Sequence, residues 1–248
     1  MGPECGTESE AGRAINMEKG KCSAVVLAAG QGKRMNSRVQ KQFLELEGHP
    51  VVYYSLKCFQ DSPLIGEIVL VTGEENIAYC REHIVNRYEL SKVTRIVAGG
   101  KERYDSVYEG LLACDDPEYV YIHDGARPFV TQEMLERGLE GARRTGACVI
   151  GMPSKDTIKI ADGQGCVEAT PRRSQVWSVQ TPQIFMYHEI KQAFDRARKG
   201  DMSDITDDAM IMERYGSKTV CLARGSYQNI KITTPEDLVV AAGFLQKK

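Results

Sequence analysis

The chain has 248 residues, 42% of them hydrophobic and 27% charged, with a formal net charge of -2 and a sequence pI near 6.1. That length suits one large α/β domain or two small ones. Ordinary apolar content excludes disorder as the dominant state, the lack of a Lys and Arg excess excludes a general nucleic-acid binder, and no apolar run approaches the roughly 20 residues of a membrane-spanning helix.

Met1–Gly20 carries Glu4, Glu8, Glu10 and Glu18 and no apolar stretch, unlike a secretory signal or a typical transit peptide. It reads as a flexible N-terminal extension, with Met17 an alternative start, ahead of a single domain over 21–248. Ser23–Leu27 is a short apolar run ending in Ala28-Ala29-Gly30, the form of a buried strand feeding a loop. Similar runs recur at 68–71, 94–97, 119–122 and 147–150. Between them, 51–60, 74–88, 104–113 and 132–144 have helical length and three- and four-residue apolar spacing. This alternation predicts a three-layer α/β/α sandwich with a mostly parallel, Rossmann-like sheet, whose strand C-termini form the ligand edge.

After Gly151 the pattern changes. Thr157–Val167 alternates and then turns at Asp162-Gly163, a β-hairpin signal, and Thr170–Val179 extends or returns from that ribbon. A two-stranded ribbon is marginal alone, so a protruding arm over about 154–179 and a homodimer are expected. Helices follow near 187–198 and 206–215, then a strand at 217–222. A final helix starts at Pro235 behind Thr234, with Glu236 and Asp237 in its first turn. The eight cysteines (5, 22, 58, 80, 114, 148, 166 and 221) form no CxxC pair, which favours reduced thiols of a cytosolic protein over a zinc site or disulfide framework.

The segment Leu27-Ala28-Ala29-Gly30-Gln31-Gly32-Lys33-Arg34-Met35 lets backbone approach a phosphate closely. It lacks the Ser or Thr of a GxxxxGK[ST] loop and the third glycine of a dinucleotide fingerprint. What it has instead is cations: Lys33, Arg34 and then Lys41 in Val39-Gln40-Lys41-Gln42-Phe43. Fixed cations stabilise the charge that accumulates when an activated phosphate is displaced.

This loop closely resembles that of the nucleotidyltransferases joining a sugar or polyol phosphate to a nucleoside triphosphate. Gly99–Val107, His123–Phe129, Thr181-Pro182-Gln183, Asp204–Ala209 and Asn229–Leu238 narrow the likeness to the 2-C-methyl-D-erythritol 4-phosphate cytidylyltransferases of the non-mevalonate isoprenoid pathway. The resemblance runs from Cys22 to the C-terminus. It implies a Mg²⁺-dependent reaction in which the substrate phosphate attacks the α-phosphorus of CTP in line. It further implies Arg34 and Lys41 as transition-state stabilisers. Ala28, Ala29, Gly30 and Gly32 would lie along the nucleotide, with Gly100, Arg103 and Ser106 at base and ribose. Asp124, at the ligand edge after a strand, is the candidate for Mg²⁺ or ribose, and Arg127 for orienting it or meeting the methylerythritol phosphate. Thr157 and Arg173 on the arm, with Thr181, Thr206 and Lys231, are implied as the second phosphate pocket. The arm residues would enter the neighbouring subunit's site. His123 reads as a packed strand-end residue.

Two positions depart from the family's pattern. Gln40 stands where Pro is frequent, and Gln228 where Asp is, which removes a carboxylate that Asp207 or Asp208 would have to replace. Two rival readings stay open at this point: a CDP-ribitol-forming cytidylyltransferase using ribitol 5-phosphate, and a non-catalytic nucleotide-binding module on the same sheet.

Overall fold

Strand β1 (Cys22–Ala28) divides the core by simple alternation. In the computed structural model, which describes residues 22–30 and 40–246, Ala24, Val26 and Ala28 join one apolar cluster and Val25 the other. The Met1–Gly20 extension, Gly32, Lys33 and Arg34 lie outside the described residues.

After β1 come the two-residue strands β2 (Glu45–Leu46) and β3 (His49–Pro50), α1 (Val51–Asp61), β4 (Ile65–Thr72), the single turn α2 (Ile77–Tyr79), β5 (Val93–Ala98), α3 (Arg103–Leu112), β6 (Tyr119–Asp124), α4 (Gln132–Thr145) and β7 (Gly146–Pro153). The second half holds β8 (Ile160–Ala161), β9 (Val167–Ala169), β10 (Trp177–Met186), α5 (Tyr187–Ala197), α6 (Asp208–Tyr215), β11 (Thr219–Arg224) and α7 (Pro235–Leu245). Leu56 and Phe59 of α1 and Leu135 of α4 cover one face of the sheet. Val107 of α3, Phe194 of α5 and Ile211 of α6 cover the other. The three layers predicted from periodicity are therefore present. Helix α7 packs outside them, on Leu46, Val51, Phe129 and Ile232. It starts where expected, with Pro235 in the first turn and a capping box between Thr234 and Asp237.

The seven-stranded sheet runs β11-β7-β10-β6-β1-β4-β5. All neighbours are parallel except those of β10. The residue pattern places the end of the ribbon at Val179. Instead the chain continues from the ribbon into β10, which sits in the middle of the sheet. Pro182 argues against a central strand, because it brings no N–H to the ladder. The strand tolerates it by a break in register: Val179 pairs with Gly151 and Gln183 with Val149, while pairing to β6 starts only at Gln183. Residues 180–182 thus bow out of both ladders beside the end of β6.

A second difference concerns 74–88. The expected helix is a 3-10 turn (Glu74–Asn76), α2, and then π-helical backbone over Cys80–Asn86, with Cys80 and Ile84 buried. The hairpin forms around the predicted turn. The Asp162 carboxylate accepts from the N–H groups of Gln164 (2.9 Å) and Cys166 (2.8 Å), and every residue of β8 and β9 is exposed.

Candidate active site

From β1 the chain builds outward through β4 and β5, then crosses back to β6 on the other side of β1. The C-terminal ends of β1 and β6 therefore flank a topological switch point, the place where open α/β sheets bind ligands. Leu27 of β1 and Asp124 of β6 are paired in register there, and the Gly125 N–H donates to the Leu27 carbonyl (2.9 Å).

A cavity of about 640 Å³ opens at this edge, lined among others by Ala29, Gly30, Lys41, Gly100, Ser106 and Lys231. A second, of about 310 Å³, adjoins it and is lined among others by Arg127, Thr181, Thr206 and Asp207. Arg103, Asp124 and Lys231 line both, so these three side chains form the wall between them.

Local sequence explains the walls. Gly99 brings its loop against the first one: a Cβ there would stand 2.7 Å from the Ala29 Cβ and 2.6 Å from the Ser106 hydroxyl. Ser106 accepts from the Gly100 N–H (3.2 Å) and donates to the Glu102 carbonyl (3.3 Å), and Glu102 and Asp105 form a capping box that starts α3 at Arg103. On the opposite wall Gln42 is buried, and its amide donates to the carbonyls of Ala28 and Gly30 and to the Gln40 side chain. That ties the stem of the glycine loop to the short turn carrying Lys41. Gln40 adopts φ -62°, the value a proline ring imposes. Its amide also donates to Glu75 (3.2 Å), so the departure from proline keeps the same backbone.

The electrostatics centre on Asp124. Its carboxylate meets Lys231 Nζ at 2.7 Å and Arg103 Nε at 3.3 Å. Burial alone would push its pKa up, but the Arg103 and Lys231 charges overcome this and hold it far below the usual carboxylate range. Arg103 also grips Asp208 with both terminal nitrogens, each at 2.9 Å. Beneath Asp124 lies a directional chain. The Arg127 carbonyl can only accept, so His123 Nε2 carries the proton (3.2 Å). Nδ1 then accepts from the Thr181 hydroxyl (3.1 Å), whose oxygen accepts from the Asp124 N–H (3.0 Å). Burial lowers the His123 pKa to about 4, keeping it neutral near pH 7. It is a packed strand-end residue, with both ring nitrogens engaged within the fold.

The sequence candidates distribute unevenly over this geometry. Ala29, Gly30, Lys41, Gly100, Arg103, Ser106, Asp124, Arg127, Thr181, Thr206 and Lys231 come together at the two cavities. Ala28 faces the core, and its carbonyl is held by Gln42. The Thr181 hydroxyl is spent on His123 and Asp124 rather than turned to a ligand. Arg127 donates to the Asn229 carbonyl (2.8 Å), while its buried Nε has no acceptor among the described residues. Thr157 and Arg173 are exposed on the ribbon segment and line neither cavity of their own chain; Arg173 reaches only the Lys155 carbonyl, at 3.4 Å. Gln228 is exposed and outside both cavities. Of the two nearby acids, Asp207 lines the smaller cavity and accepts from the Met210 N–H and Gln183, whereas Asp208 is held by Arg103. Two functional features are not among the sequence candidates, Gln42 and the Arg103–Asp208 pair. The first is visible in the sequence only as part of the KQF motif; in the second, Asp208 stands out only as an acid in the first turn of a helix and a substitute for a missing carboxylate, not as the partner of Arg103.

Asp124 is the sole carboxylate lining both cavities, and no group of three or more His, Cys, Asp or Glu able to hold a metal ion occurs among the described residues. Mg²⁺ commonly takes one or two carboxylates and fills its shell with phosphates and water. Asp124 among the described residues fits a cation that brings phosphate and water ligands with it.

Comparison with known proteins follows the same outline. Residues 22–247 match the family model of 2-C-methyl-D-erythritol 4-phosphate cytidylyltransferase. The enzyme of that name from Lachnospira eligens is 48% identical over 225 residues, covering 90% of this chain and 99% of the relative. That of Clostridium botulinum is 48% identical over 228 residues, covering 92% and 98%. Among solved structures, the 4-diphosphocytidyl-2C-methyl-D-erythritol synthase of Anaerococcus prevotii superposes with a TM-score of 0.81 at 32% identity, over 92% of this chain and all of that one. The Thermus thermophilus cytidylyltransferase gives 0.70 at 29% identity, over 90% and 98%.

Proposed function

The chain belongs to the 2-C-methyl-D-erythritol 4-phosphate cytidylyltransferase family, and from that premise we propose that its reaction runs across the Arg103–Asp124–Lys231 wall. The activity is CMP transfer from CTP to 2-C-methyl-D-erythritol 4-phosphate, with release of pyrophosphate. In this reading CTP occupies the larger cavity and the polyol phosphate the smaller one. The single observation that carries it is the wall itself: two adjoining cavities of ligand size that share two cations and one carboxylate.

A phosphate oxygen of the polyol substrate attacks the α-phosphorus of CTP. The bond from that phosphorus to the oxygen bridging toward the β-phosphate breaks, and its electron pair leaves on pyrophosphate. Charge builds on the transferring group and on the leaving group. Lys41 and Lys231 line the nucleotide cavity and are assigned to neutralise it, joined by Arg34 from the glycine loop. The Lys231 ammonium is held by Asp124 before reaction (2.7 Å), so little reorganisation opposes its part in the step. Arg127, with a buried donor still to be satisfied, and Thr206 are assigned to the polyol phosphate. Ala29, Gly30 and Gly100 offer close backbone approach to the nucleotide.

Mg²⁺ is assigned to Asp124 and the nucleotide phosphates, where it supplies further charge neutralisation. Two observations support a homodimer with a composite site. The ribbon and its flanks expose Ile158, Ile160, Val167 and Val179 at 39%, 49%, 59% and 44%, apolar area that a partner would bury. Thr157 and Arg173 lie away from their own cavities, as expected of residues that serve a neighbour. No helix among the described residues is long and apolar enough to cross a membrane. The cytoplasm is the assigned compartment, supported by the buried free thiols Cys22, Cys80, Cys114 and Cys148.

The test is pyrophosphate release from CTP and Mg²⁺ with either 2-C-methyl-D-erythritol 4-phosphate or ribitol 5-phosphate. Release with the first and little with the second is expected. Preference for ribitol 5-phosphate, or CTP binding without release, would sink the assignment.

A further inference from the structure

Arg103 opens α3 and Asp208 opens α6, helices on the same face of the sheet. Their side chains meet fork to fork, each terminal nitrogen 2.9 Å from a carboxylate oxygen. Asp208 is fully buried and lines neither cavity, so it stands behind Arg103 rather than in the cavity wall. A bidentate grip of this kind fixes the plane of a guanidinium as well as its position. With the plane fixed, the remaining Nε points at one oxygen of Asp124 (3.3 Å), and the other oxygen is left to Lys231 (2.7 Å).

We propose that Asp208 is a positioning residue for the transfer reaction, acting through Arg103 to set where Asp124 and Lys231 stand in the wall between the cavities. The inference rests on the functional reading above and adds a residue to it. Without the carboxylate of Asp208, the guanidinium turns its terminal nitrogens toward Asp124, competes with Lys231 and moves that ammonium away from the phosphates. Stability does not by itself call for the pair, because buried ion pairs are often replaceable by apolar groups at no loss.

The test compares wild type, Asp208→Asn, Arg103→Ala and the double variant by pyrophosphate release and thermal melting. Asn keeps the shape and one acceptor but loses the second and the charge. The expected result is a folded Asp208→Asn protein whose kcat falls by roughly 10²-fold, the loss that follows from misplacing a reacting group by about 1 Å. Arg103→Ala strands a buried carboxylate and melts early. Adding Asp208→Asn to it restores the melting temperature and causes no further loss of kcat. A purely structural Asp208 would lower the melting temperature and leave kcat per folded molecule unchanged, which overturns the proposal. So does a double variant in which the two losses multiply. Should Asp208→Asn not fold, Arg103→Lys decides the matter, since it keeps the charge without the fork: a similar loss of kcat supports the proposal, and a wild-type rate overturns it. A wild-type protein that releases no pyrophosphate would sink the functional reading instead, which keeps the two failures apart.

Discussion

Lys41 and Lys231 approach the larger cavity from opposite ends of the sequence, one in the turn after the glycine loop and the other near the C-terminus. Removing one preorganised charge from such a site costs about 10²-fold to 10³-fold in kcat. Lys41→Ala is therefore expected to reduce turnover by at least about 10²-fold while weakening CTP binding much less; a near-wild-type rate in steady-state assays would remove Lys41 from the mechanism. The cations, the glycines and Asp124 are legible in the sequence, because short motifs carry them after a recognisable strand. The partners of Arg103 are not. The family resemblance assigns Arg103 to base and ribose, whereas its guanidinium is bound to Asp124 and to Asp208, the latter 105 residues away. Local spacing carries no trace of a contact that distant.

At the scale of elements, β10 shows how an irregular strand delivers side chains to a site. Its break over 180–182 places the Thr181 hydroxyl between the Asp124 N–H and His123. Thr181→Val keeps the shape but leaves a buried N–H and a ring nitrogen without partners, at an expected loss of about 1–3 kcal/mol in denaturant unfolding. An unchanged midpoint would show that this chain contributes nothing. The same chain makes stability depend on pH. The folded protein protonates His123 only near 4, against an ordinary 6.5, so the unfolded chain binds the proton first. Above pH 6.5 neither state is protonated and nothing is lost; as pH falls through that window the native state loses stability, by roughly 3 kcal/mol once pH reaches 4. His123→Gln should lose this part of the slope between pH 7 and 4.5; a wild-type slope in the variant would contradict the assignment. The parallel strands and the helices α1, α3 and α4 are legible because burial imposes periods of 2 and 3.6 on them. Strand β10 is not, since Ser178, Gln180, Thr181, Pro182 and Gln183 mask a central strand, whose pairing is interrupted at 180–182.

For the whole molecule, the layering follows from alternation along the strands, and the ribbon from its Asp162-Gly163 turn. What the ribbon does depends on a second chain. If it joins two subunits into a composite site, Arg173→Ala should raise the KM for the polyol phosphate far more than that for CTP. Mixing it with a Lys41→Ala protein should form hybrid dimers that recover activity at one site, because each variant then supplies what the other lacks. No recovery in hybrids of verified composition would place Arg173 outside the neighbour's site. In the proposed reading the switch point of the sheet holds a triphosphate on one side of the Arg103–Asp124–Lys231 wall and a polyol phosphate on the other. A crystal structure with CTP, Mg²⁺ and the polyol phosphate tests it most directly. The α-phosphate is expected beside Lys41 and Lys231 in the larger cavity, with the second phosphate across the wall near Arg127. Nucleotide bound elsewhere, or both lysines turned away from the triphosphate, would contradict it.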